Sequence, residues 1–385
     1  MPIPSSPVLR WTVQITVGGM GLLLLLLAFS MDQSWADRHM LPDILVASGW
    51  LTAILWIERI ILALIGALLL LLSPRLGRMI KAGRGNVAMR WMAIGLAILL
   101  AVPASEGAIR LASGRAGQSW SRVNEPLRRA DPVIGWTNIP ARRAIDPDYP
   151  SRPVYVIDSH GYRVAAESRA LDTAAPSILF VGESVMFGKG LNWRDSVAGQ
   201  VEALSGLQSV NLAVPAFSAG QGFLHLRREL PRFKHPRAVI ILFGPDLLVR
   251  DLDRSRPWID QAGQWHAAAW SWHLGHVGRV LFPYHRASTI DAVVASDRRI
   301  LAMDVALARR HGADPLVVVP VFQPERRQER ALRQAIFGNT AIPHVLVPLD
   351  PDWRLFPDFH PDARAHAAMA RAIWGRLKGR SGSDQ

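Results

Sequence analysis

The chain has 385 residues, half of them apolar, which is enough for two or three structural units and a sizeable core. The formal net charge of +13 comes mostly from Arg residues spread along the whole chain, and the absence of a basic stripe argues against nucleic-acid binding. Because the sequence has no cysteine, disulfides, thiolate nucleophiles and cysteine-bound zinc are excluded.

Three apolar segments near the N-terminus predict transmembrane helices. The first, 11–31, carries no charge over 21 residues and is long enough to cross a bilayer. The second, 44–72, is longer than one span requires and contains Glu58 and Arg59, which are costly in lipid unless they are paired or face protein. The third, at about 88–104, is the weakest of the three.

The charges of the connecting segments predict the orientation, because basic residues are retained on the cytoplasmic side. Segment 73–90 holds five basic residues and no acid, whereas segment 31–43 holds three Asp against one Arg. Three spans then place the N-terminus in the cytoplasm and everything after about residue 106 outside. Two alternatives stay open: a cleaved signal peptide in place of the first span, and an even number of spans that leaves the C-terminal part in the cytoplasm.

The rest of the chain divides into two further parts after a membrane anchor at 1–110. Residues 111–175 are rich in Arg, Pro, Asp and Ser without periodicity, which predicts a stalk and lead-in segment. In 176–380, near-continuous apolar runs alternate with helical patterns, which predicts an α/β domain with a five-stranded parallel sheet. The five runs are 177–182, 209–214, 238–244, 315–322 and 344–349.

Five helices are predicted between and after these strands. The first starts at Asp195 as N-cap, the fourth starts at Pro324, and the last precedes the C-terminus. Their ranges are 195–206, 218–230, 288–312, 324–338 and 361–379.

An aromatic-rich insertion at about 247–287 interrupts the alternation. It contains four Trp and four His. The His spacings lack supporting acids on one face, so a lid or a membrane-facing cap is favoured over a metal or haem site.

The loop after the first strand, in the stretch ILFVGESVMFGKGL at 178–191, departs from three known patterns. A phosphate-binding P-loop requires four residues between its first Gly and the Gly-Lys pair, whereas five separate Gly182 from Gly188. A dinucleotide fingerprint is absent. A nucleophile elbow requires Gly where Met186 stands. What is left is Ser184, directly behind a strand at the edge where ligands bind in parallel sheets.

A serine in this position needs a base, because an unassisted hydroxyl is a weak nucleophile. The stretch LFPDFHPDARAH places Asp358 and His360 before the last helix, where they open on the same sheet edge as Ser184. In this arrangement His360 takes the serine proton and Asp358 orients the imidazole. The alternative is that Asp358 and His360 only cap the last helix. The spacing leaves both interpretations open.

These motifs resemble the SGNH or GDSL hydrolases, and specifically their membrane-anchored bacterial branch. Gly182, Glu183 and Ser184, followed by Gly188, stand for the first block, and DFHPDARAHAAMARAI is similar to the last. DPVIGWTNIP and VIDSHGYRV look like the lead-in elements of that branch. The resemblance covers roughly 131–375 and implies a three-layer, flavodoxin-like domain with a serine nucleophile.

The resemblance also implies an oxyanion hole, and here the chain departs from the family. The second block has Ala213 and Ala216 where the family has Gly, and the third has Pro245 and Asp246, without a side-chain amide, where the family has Asn-Asp. The implied donors are the amides of Ser184 and Ala216, together with the position of Asp246. An ionised Asp246 would repel the developing oxyanion, and the loss of one donor costs about 2.7–4 kcal/mol. Glu183 in place of Asp is a milder change.

The expected function is that of a membrane-anchored serine esterase or O-acyltransferase outside the cytoplasmic membrane. Its implied substrates are acyl esters of envelope or extracellular polysaccharide, and its N-terminal helices contact membrane lipid. The alternative is a degenerate domain that binds a glycan or a partner without turnover. No metal or organic cofactor is implied, and His366 is expected to pack or cap rather than to bind a metal.

Overall fold

The computed structural model describes residues 7–45, 48–81, 104–105, 127–167, 170–269 and 284–381. The chain forms two compact units. The first consists of 1–40, 48–122 and 272–284, and the second of 41–47, 123–271 and 285–385. Residues 41–47 therefore belong to the second unit, although helices of the first unit flank them in the sequence.

The described part of the first unit contains three longer helices: α1 (Pro7–Ser30), α2 (Gln33–His39) and α3 (Ser48–Lys81). Two stretches are long and apolar enough to cross a membrane, Arg10–Ser30 and Thr52–Arg78, with mean hydropathies of 2.0 and 2.4. The second of them begins later than predicted, since 44–47 precede α3. The third predicted span, at about 88–104, lies outside the described residues except at its last position.

Helices α1 and α3 pack closely through glycine. A Cβ on Gly21 or on Gly66 would lie 2.8 Å from the carbonyl oxygen of the other residue, so neither position accepts a side chain without a shift of the helices. Two charged side chains of α3, Glu58 and Arg59, have partners. Glu58 accepts a hydrogen bond from the Tyr284 hydroxyl, and Arg59 Nε donates to the Ala28 carbonyl at 2.8 Å.

The second unit is built on a sheet that has eight strands among the described residues, in the order β12-β11-β8-β6-β7-β5-β4-β3. Strands β6, β7, β8, β11 and β12 pair in parallel and lie at the five predicted apolar runs. Strands β3, β4 and β5 pair antiparallel. The sheet is therefore mixed, and the expectation of a five-stranded parallel sheet is corrected.

The additional strands come from the lead-in segment, which the sequence predicts to be a stalk. They are only two to four residues long: β3 and β5 contain Arg, and β4 is an apolar run of four residues, shorter than the predicted runs of the parallel strands. The described residues form twelve strands in all: β1 (Arg128–Asp131), β2 (Gly135–Asn138), β3 (Arg142–Ile145), β4 (Val154–Ile157), β5 (Arg163–Val164), β6 (Ser177–Val181), β7 (Gln208–Asn211), β8 (Pro236–Leu242), β9 (Trp258–Ile259), β10 (Trp265–His266), β11 (Asp314–Phe322) and β12 (His344–Leu349).

Helices cover both faces of this sheet. Successive residues of β6 point to opposite sides, so Leu179 packs in a core with α6 and α8, whereas Phe180 packs in a core with α5 and α10. The helices are α4 (Ser184–Phe187), α5 (Val197–Ser205), α6 (Ala219–Glu229), α7 (Pro245–Leu252), α8 (Ala287–Arg310), α9 (Arg327–Phe337) and α10 (Ala363–Ser381), with 3₁₀ turns at Trp193–Asp195 and Leu230–Arg232.

Two predicted helix starts are wrong by a few residues. Ser196, not Asp195, is the N-cap of α5, because its hydroxyl accepts a hydrogen bond from Gly199 N at 3.2 Å. Helix α9 begins at Arg327 rather than at Pro324.

The described part of the aromatic insertion contains α7 and the β9–β10 hairpin, while 270–283 lie outside the described residues. Trp258 stacks on His266 at 4.1 Å, and the Arg254 guanidinium lies 3.5 Å from the centre of the Trp258 ring. His266 Nε2 lies 2.8 Å from Asp260. Among the residues that the structure describes, no three His, Asp or Glu side chains are placed to hold a metal ion.

Arg163 in β5 connects the lead-in strands to the loop behind α4. Its fully buried guanidinium donates hydrogen bonds to the carbonyls of Phe187, Gly188 and Leu191, the last two at 2.9 and 2.6 Å. Its centre also lies 4.8 Å from the Tyr155 ring, a cation–π contact. Burial lowers the pKa of Arg163 to about 10, so it is still charged at neutral pH.

We expect Arg163→Met to destabilise the protein, because three buried carbonyls lose their donor. The expected loss is about 3 kcal/mol or more in the free energy of unfolding, measured by denaturant titration of the detergent-solubilised chain. Arg237→Met, at an exposed position of β8, is the matched control. Equal effects of the two changes would contradict this account of Arg163.

Candidate active site

Ser184 is the first residue of α4 and follows β6 after only Gly182 and Glu183. Gly182 is needed for this tight connection, since a Cβ there would lie 2.8 Å from the Cβ of Leu242 on the neighbouring strand. The serine hydroxyl is thereby held at the carboxyl end of the sheet, the edge predicted from the sequence.

The structure brings together the three residues predicted to form a triad. His360 Nε2 lies 2.7 Å from Ser184 Oγ, although 176 residues separate the two in sequence. His360 Nδ1 lies 2.8 Å from Asp358 Oδ2. Ser184 and His360 are both buried. This is the order of contacts that a serine nucleophile, its general base and an orienting carboxylate require.

The alternative role of Asp358 and His360 as caps of the last helix is contradicted. Helix α10 begins at Ala363, and Asp362 caps it: Asp362 Oδ1 accepts hydrogen bonds from Arg364 N at 2.9 Å and Ala365 N at 3.1 Å.

Two further residues that sequence reasoning did not identify hold Asp358. The Tyr149 hydroxyl donates to Asp358 Oδ2 at 2.5 Å, and Lys189 Nζ lies 3.3 Å from the same oxygen. Burial alone would raise the pKa of Asp358, but contacts with His360, Tyr149 and Lys189 outweigh it and hold the pKa well below its usual range. The carboxylate is therefore ionised at neutral pH. Lys189, in the Gly-Lys-Gly stretch, therefore stabilises the ionised form of Asp358.

His366, six residues after His360, packs in the core. Its Nδ1 accepts a hydrogen bond from Val197 N at 2.9 Å, in the first turn of α5. Burial lowers the pKa of His366 to about 3, so the ring is neutral. This agrees with the expectation that it packs or caps.

The Ser184 amide, one of the expected oxyanion donors, already donates a hydrogen bond to Glu183. Glu183 Oε2 accepts hydrogen bonds from both the amide and the hydroxyl of Ser184, and Glu183 Oε1 accepts one from Val185 N at 2.8 Å. Burial acts to raise the pKa of Glu183, but Arg250, His360 and these hydrogen bonds lower it below its usual value. An anionic side chain therefore occupies the place where an oxyanion would bind.

The second expected donor, Ala216, has an unusual backbone. Its φ of +64° lies in the left-handed region, which glycine adopts freely and which costs other residues about 1–2 kcal/mol. The Ala216 carbonyl accepts a hydrogen bond from Arg256 Nη1 at 2.7 Å. The backbone thus takes a conformation suited to glycine, although the chain carries Ala.

Asp246, in the block where the resembled family has Asn-Asp, is buried in the first turn of α7. Its Oδ2 lies 3.0 Å from Arg250 Nη2. Burial, together with the charges of Glu183 and Asp43, raises the pKa of Asp246 to about 7 against the opposing effect of Arg250. Near neutral pH, Asp246 therefore exchanges between a neutral carboxyl that can donate a hydrogen bond and a carboxylate that cannot.

Arg250 joins the loops that follow three neighbouring strands. It donates to Glu183 Oε2 at 3.1 Å and to the Phe217 carbonyl at 3.0 Å, and it pairs with Asp246. No local pattern in the sequence singles out this arginine.

The sequence matches no protein-family model and no curated protein. Solved structures with some likeness include the acetyl xylan esterase Est2A from Butyrivibrio proteoclasticus, at 11% identity and TM-score 0.35, covering 56% of this chain and 66% of that one. Est24, a carbohydrate acetylesterase from Sinorhizobium meliloti, is 13% identical with TM-score 0.35, covering 53% of this chain and 99% of that one. A family two carbohydrate esterase from Cellvibrio japonicus is 15% identical with TM-score 0.32, covering 55% and 62%.

We expect Asp246→Asn to remove one pH dependence of catalysis. Asp246 is protonated below its pKa of about 7 and ionised above it, whereas an Asn amide donates at every pH. The kcat/KM of the wild type relative to the variant should therefore fall by up to about 100-fold as the pH rises through 7. The measurement is hydrolysis of p-nitrophenyl acetate from pH 5 to 9.

The ratio of the two rates cancels the titrations that the wild type and the variant share. Asp352→Asn, at an exposed position, should give a ratio that does not vary with pH. A constant ratio for Asp246→Asn as well would show that this carboxyl does not act on the oxyanion.

We expect Glu183→Asp to raise activity, because a side chain shorter by one methylene withdraws the carboxylate from the Ser184 amide. A freed oxyanion donor should increase kcat/KM and the rate of fluorophosphonate labelling by about 10-fold or more. Glu325→Asp, which alters a carboxylate paired with Arg330 and Arg333, is the control. An unchanged or lower rate for Glu183→Asp would mean that Glu183 does not obstruct the site.

Proposed function

We propose that this chain is a membrane-anchored serine esterase or O-acyltransferase of the SGNH type. The observation that carries the proposal is the pair of contacts at the sheet edge: 2.7 Å from Ser184 Oγ to His360 Nε2, and 2.8 Å from His360 Nδ1 to Asp358 Oδ2. The ionised Asp358 supports the proposal further, since it stabilises the imidazolium that forms when His360 accepts a proton.

In the proposed reaction, Ser184 Oγ attacks the ester carbonyl while its proton passes to His360 Nε2. The tetrahedral intermediate then expels the alcohol, which takes that proton from His360, and the acyl group stays on Ser184 as an ester. Water or a sugar hydroxyl attacks this acyl-enzyme, with His360 again accepting and returning the proton. The oxyanion is assigned to the amides of Ser184 and Ala216, once Glu183 has moved, and to the neutral form of Asp246.

The proposed location is the outer side of the cytoplasmic membrane, with α1 and α3 as two of three spans and the segment at about 88–104 as the third. Residues 41–45 lie between α2 and α3 in the sequence and yet pack within the second unit, which supports a common side of the membrane for this connection and the α/β unit. The basic segment 73–90 favours the outer side by the positive-inside rule. Acyl esters of envelope or extracellular polysaccharide are the proposed substrates, on the basis of this location and the motif resemblance.

A second candidate is a degenerate domain that binds a glycan or a partner without turnover. It is favoured by one specific observation: the Glu183 carboxylate occupies the Ser184 amide and hydroxyl. The lack of the family's Asn in the third block, where this chain has Pro245 and Asp246, also favours this candidate.

The experiment that separates the two candidates is labelling with a fluorophosphonate probe. We expect the probe to modify Ser184 of the full chain in detergent, and Ser184→Ala to abolish the modification. His360→Ala should slow hydrolysis of an activated ester by about 10⁴-fold or more, because the serine loses its base. Ser209→Ala, which changes another buried serine at the sheet, is the control.

An unlabelled but folded wild type would contradict catalysis and support the binding domain. If labelling occurs, an added oligosaccharide acceptor distinguishes hydrolysis from transfer, since the released acyl group appears either as free acid or on the sugar.

A further inference from the structure

Residues 41–45 are packed into the α/β unit. Leu41 and Ile44 are buried, with 7% and 8% of their surface exposed. Leu41 belongs to the core that contains Leu247 of α7, and Leu45 packs against the core on the other face of the sheet. Asp43 Oδ1 accepts a hydrogen bond from Leu45 N at 2.8 Å, which fixes the turn. This segment is therefore an ordered element of the unit.

The segment lies against the third block of the candidate active site. The Ile44 Cγ2 methyl is 3.8 Å from the position that a Cβ on Gly244 would take, and Gly244 is the N-cap of α7. The charge of Asp43 acts on both side chains of the adjacent ion pair, because it raises the pKa of Asp246 and that of Arg250.

Arg354 connects the same segment to the loop that carries Asp358 and His360. Its Nη1 donates to the Ile44 carbonyl at 2.7 Å and to the Phe359 carbonyl at 3.2 Å. The guanidinium also lies 3.6 Å from the centre of the Phe322 ring, at the end of β11. Phe359 is the single residue between Asp358 and His360, so this hydrogen bond acts directly on the backbone of the proposed triad.

The backbone at Phe359 needs such support. Its φ is +61°, in the left-handed region, which a residue with a large side chain adopts only where its surroundings hold it. Two backbone hydrogen bonds close the loop, Phe359 N to Leu355 O at 2.8 Å and Leu355 N to His360 O at 2.7 Å. Arg354 supplies the contact from this loop to residues 41–45.

We infer that residues 41–45 are part of the active site and that Arg354 is a positioning residue, which holds the Phe359 carbonyl against them and so keeps His360 in reach of Ser184. The inference rests on the proposed function. Arg354 acts on the reaction only through the loop that it holds in place. The α/β unit is complete only with residues 41–45, which lie between α2 and α3 in the sequence.

The first test is Arg354→Ala in the full chain in detergent, with p-nitrophenyl acetate as substrate. A displacement of His360 by about 1 Å should lower kcat about 100-fold with little change in KM. Methylguanidinium added to the solution should restore part of kcat. Arg354→Lys should lie between the wild type and Arg354→Ala, because an ammonium keeps the charge but loses the planar donor group.

Arg364→Ala is the matched control, since Arg364 lies at the same loop but donates to Asp352 and Asp362 instead. It should keep the wild-type kcat. A wild-type kcat for Arg354→Ala, or a loss confined to KM, would overturn the inference.

The second test replaces 41–45 by five Gly and Ser residues. Without the buried side chains of Leu41 and Ile44, the segment should no longer be held in the unit, and Arg354 should lose the Ile44 carbonyl. This change should lower kcat, and Arg354→Ala in that background should cost less than it does alone, because the contact between the two is already lost. Losses that multiply would overturn the inference. Fluorophosphonate labelling keeps the two proposals apart: an unlabelled wild type contradicts the proposed function, whereas a labelled wild type with full kcat in Arg354→Ala contradicts only the role of Arg354.

Discussion

The guanidinium of Arg250 is the interaction on which the oxyanion side of the site depends. Parallel strands end at one edge of the sheet, so a single cation there reaches Glu183 after β6, the Phe217 carbonyl after β7 and Asp246 after β8. Two buried carboxylates share this one cation, and both cannot be ionised without cost. The pKa of Glu183 is lowered and that of Asp246 is raised to about 7, so the proton belongs to Asp246. The net charge beside the proposed oxyanion hole therefore depends on whether Asp246 is protonated, while Glu183 stays ionised.

The two halves of the site are stabilised differently. On the triad side, Asp358 Oδ2 is in contact with His360, Tyr149 and Lys189, and this surplus of donors keeps the carboxylate ionised and the imidazole oriented. On the oxyanion side, the anionic Glu183 itself takes the donors of Ser184. His360 and Asp358 are thus arranged for reaction, whereas the Ser184 amide and the single proton of the Ser184 hydroxyl become available only when Glu183 moves. Two carboxylates of this site, Glu183 and Asp246, have their pKa values shifted in opposite directions by their surroundings, which is how one site supports acid and base chemistry at a single pH.

Sequence reasoning could identify what has a local pattern. Apolar runs located β6 and its parallel neighbours, and position at strand ends selected Ser184 and His360. It could not identify β3 to β5, because β3 and β5 contain Arg and β4 is an apolar run of only four residues. Tyr149, Lys189 and Arg250 were missed for another reason. Arg250 pairs with Asp246, 4 residues away, and Tyr149 donates to Asp358, 209 residues away. Only the folded chain brings such partners together.

The contacts made by the segments before β6 change what counts as the catalytic unit. The lead-in supplies Tyr149 to Asp358 and the buried Arg163 to the carbonyls behind α4, and residues 41–45 supply the Ile44 carbonyl to Arg354. Each of these contacts satisfies a buried or partly buried polar group next to a proposed triad residue, and an unsatisfied group there would cost about 1–3 kcal/mol or relax the geometry. The parallel strands alone would therefore form a sheet with a serine at its edge, but the position of the imidazole and the charge of its carboxylate depend on chain segments that precede that sheet. For this reason we describe the lead-in as a structural support of the proposed active site rather than as a stalk.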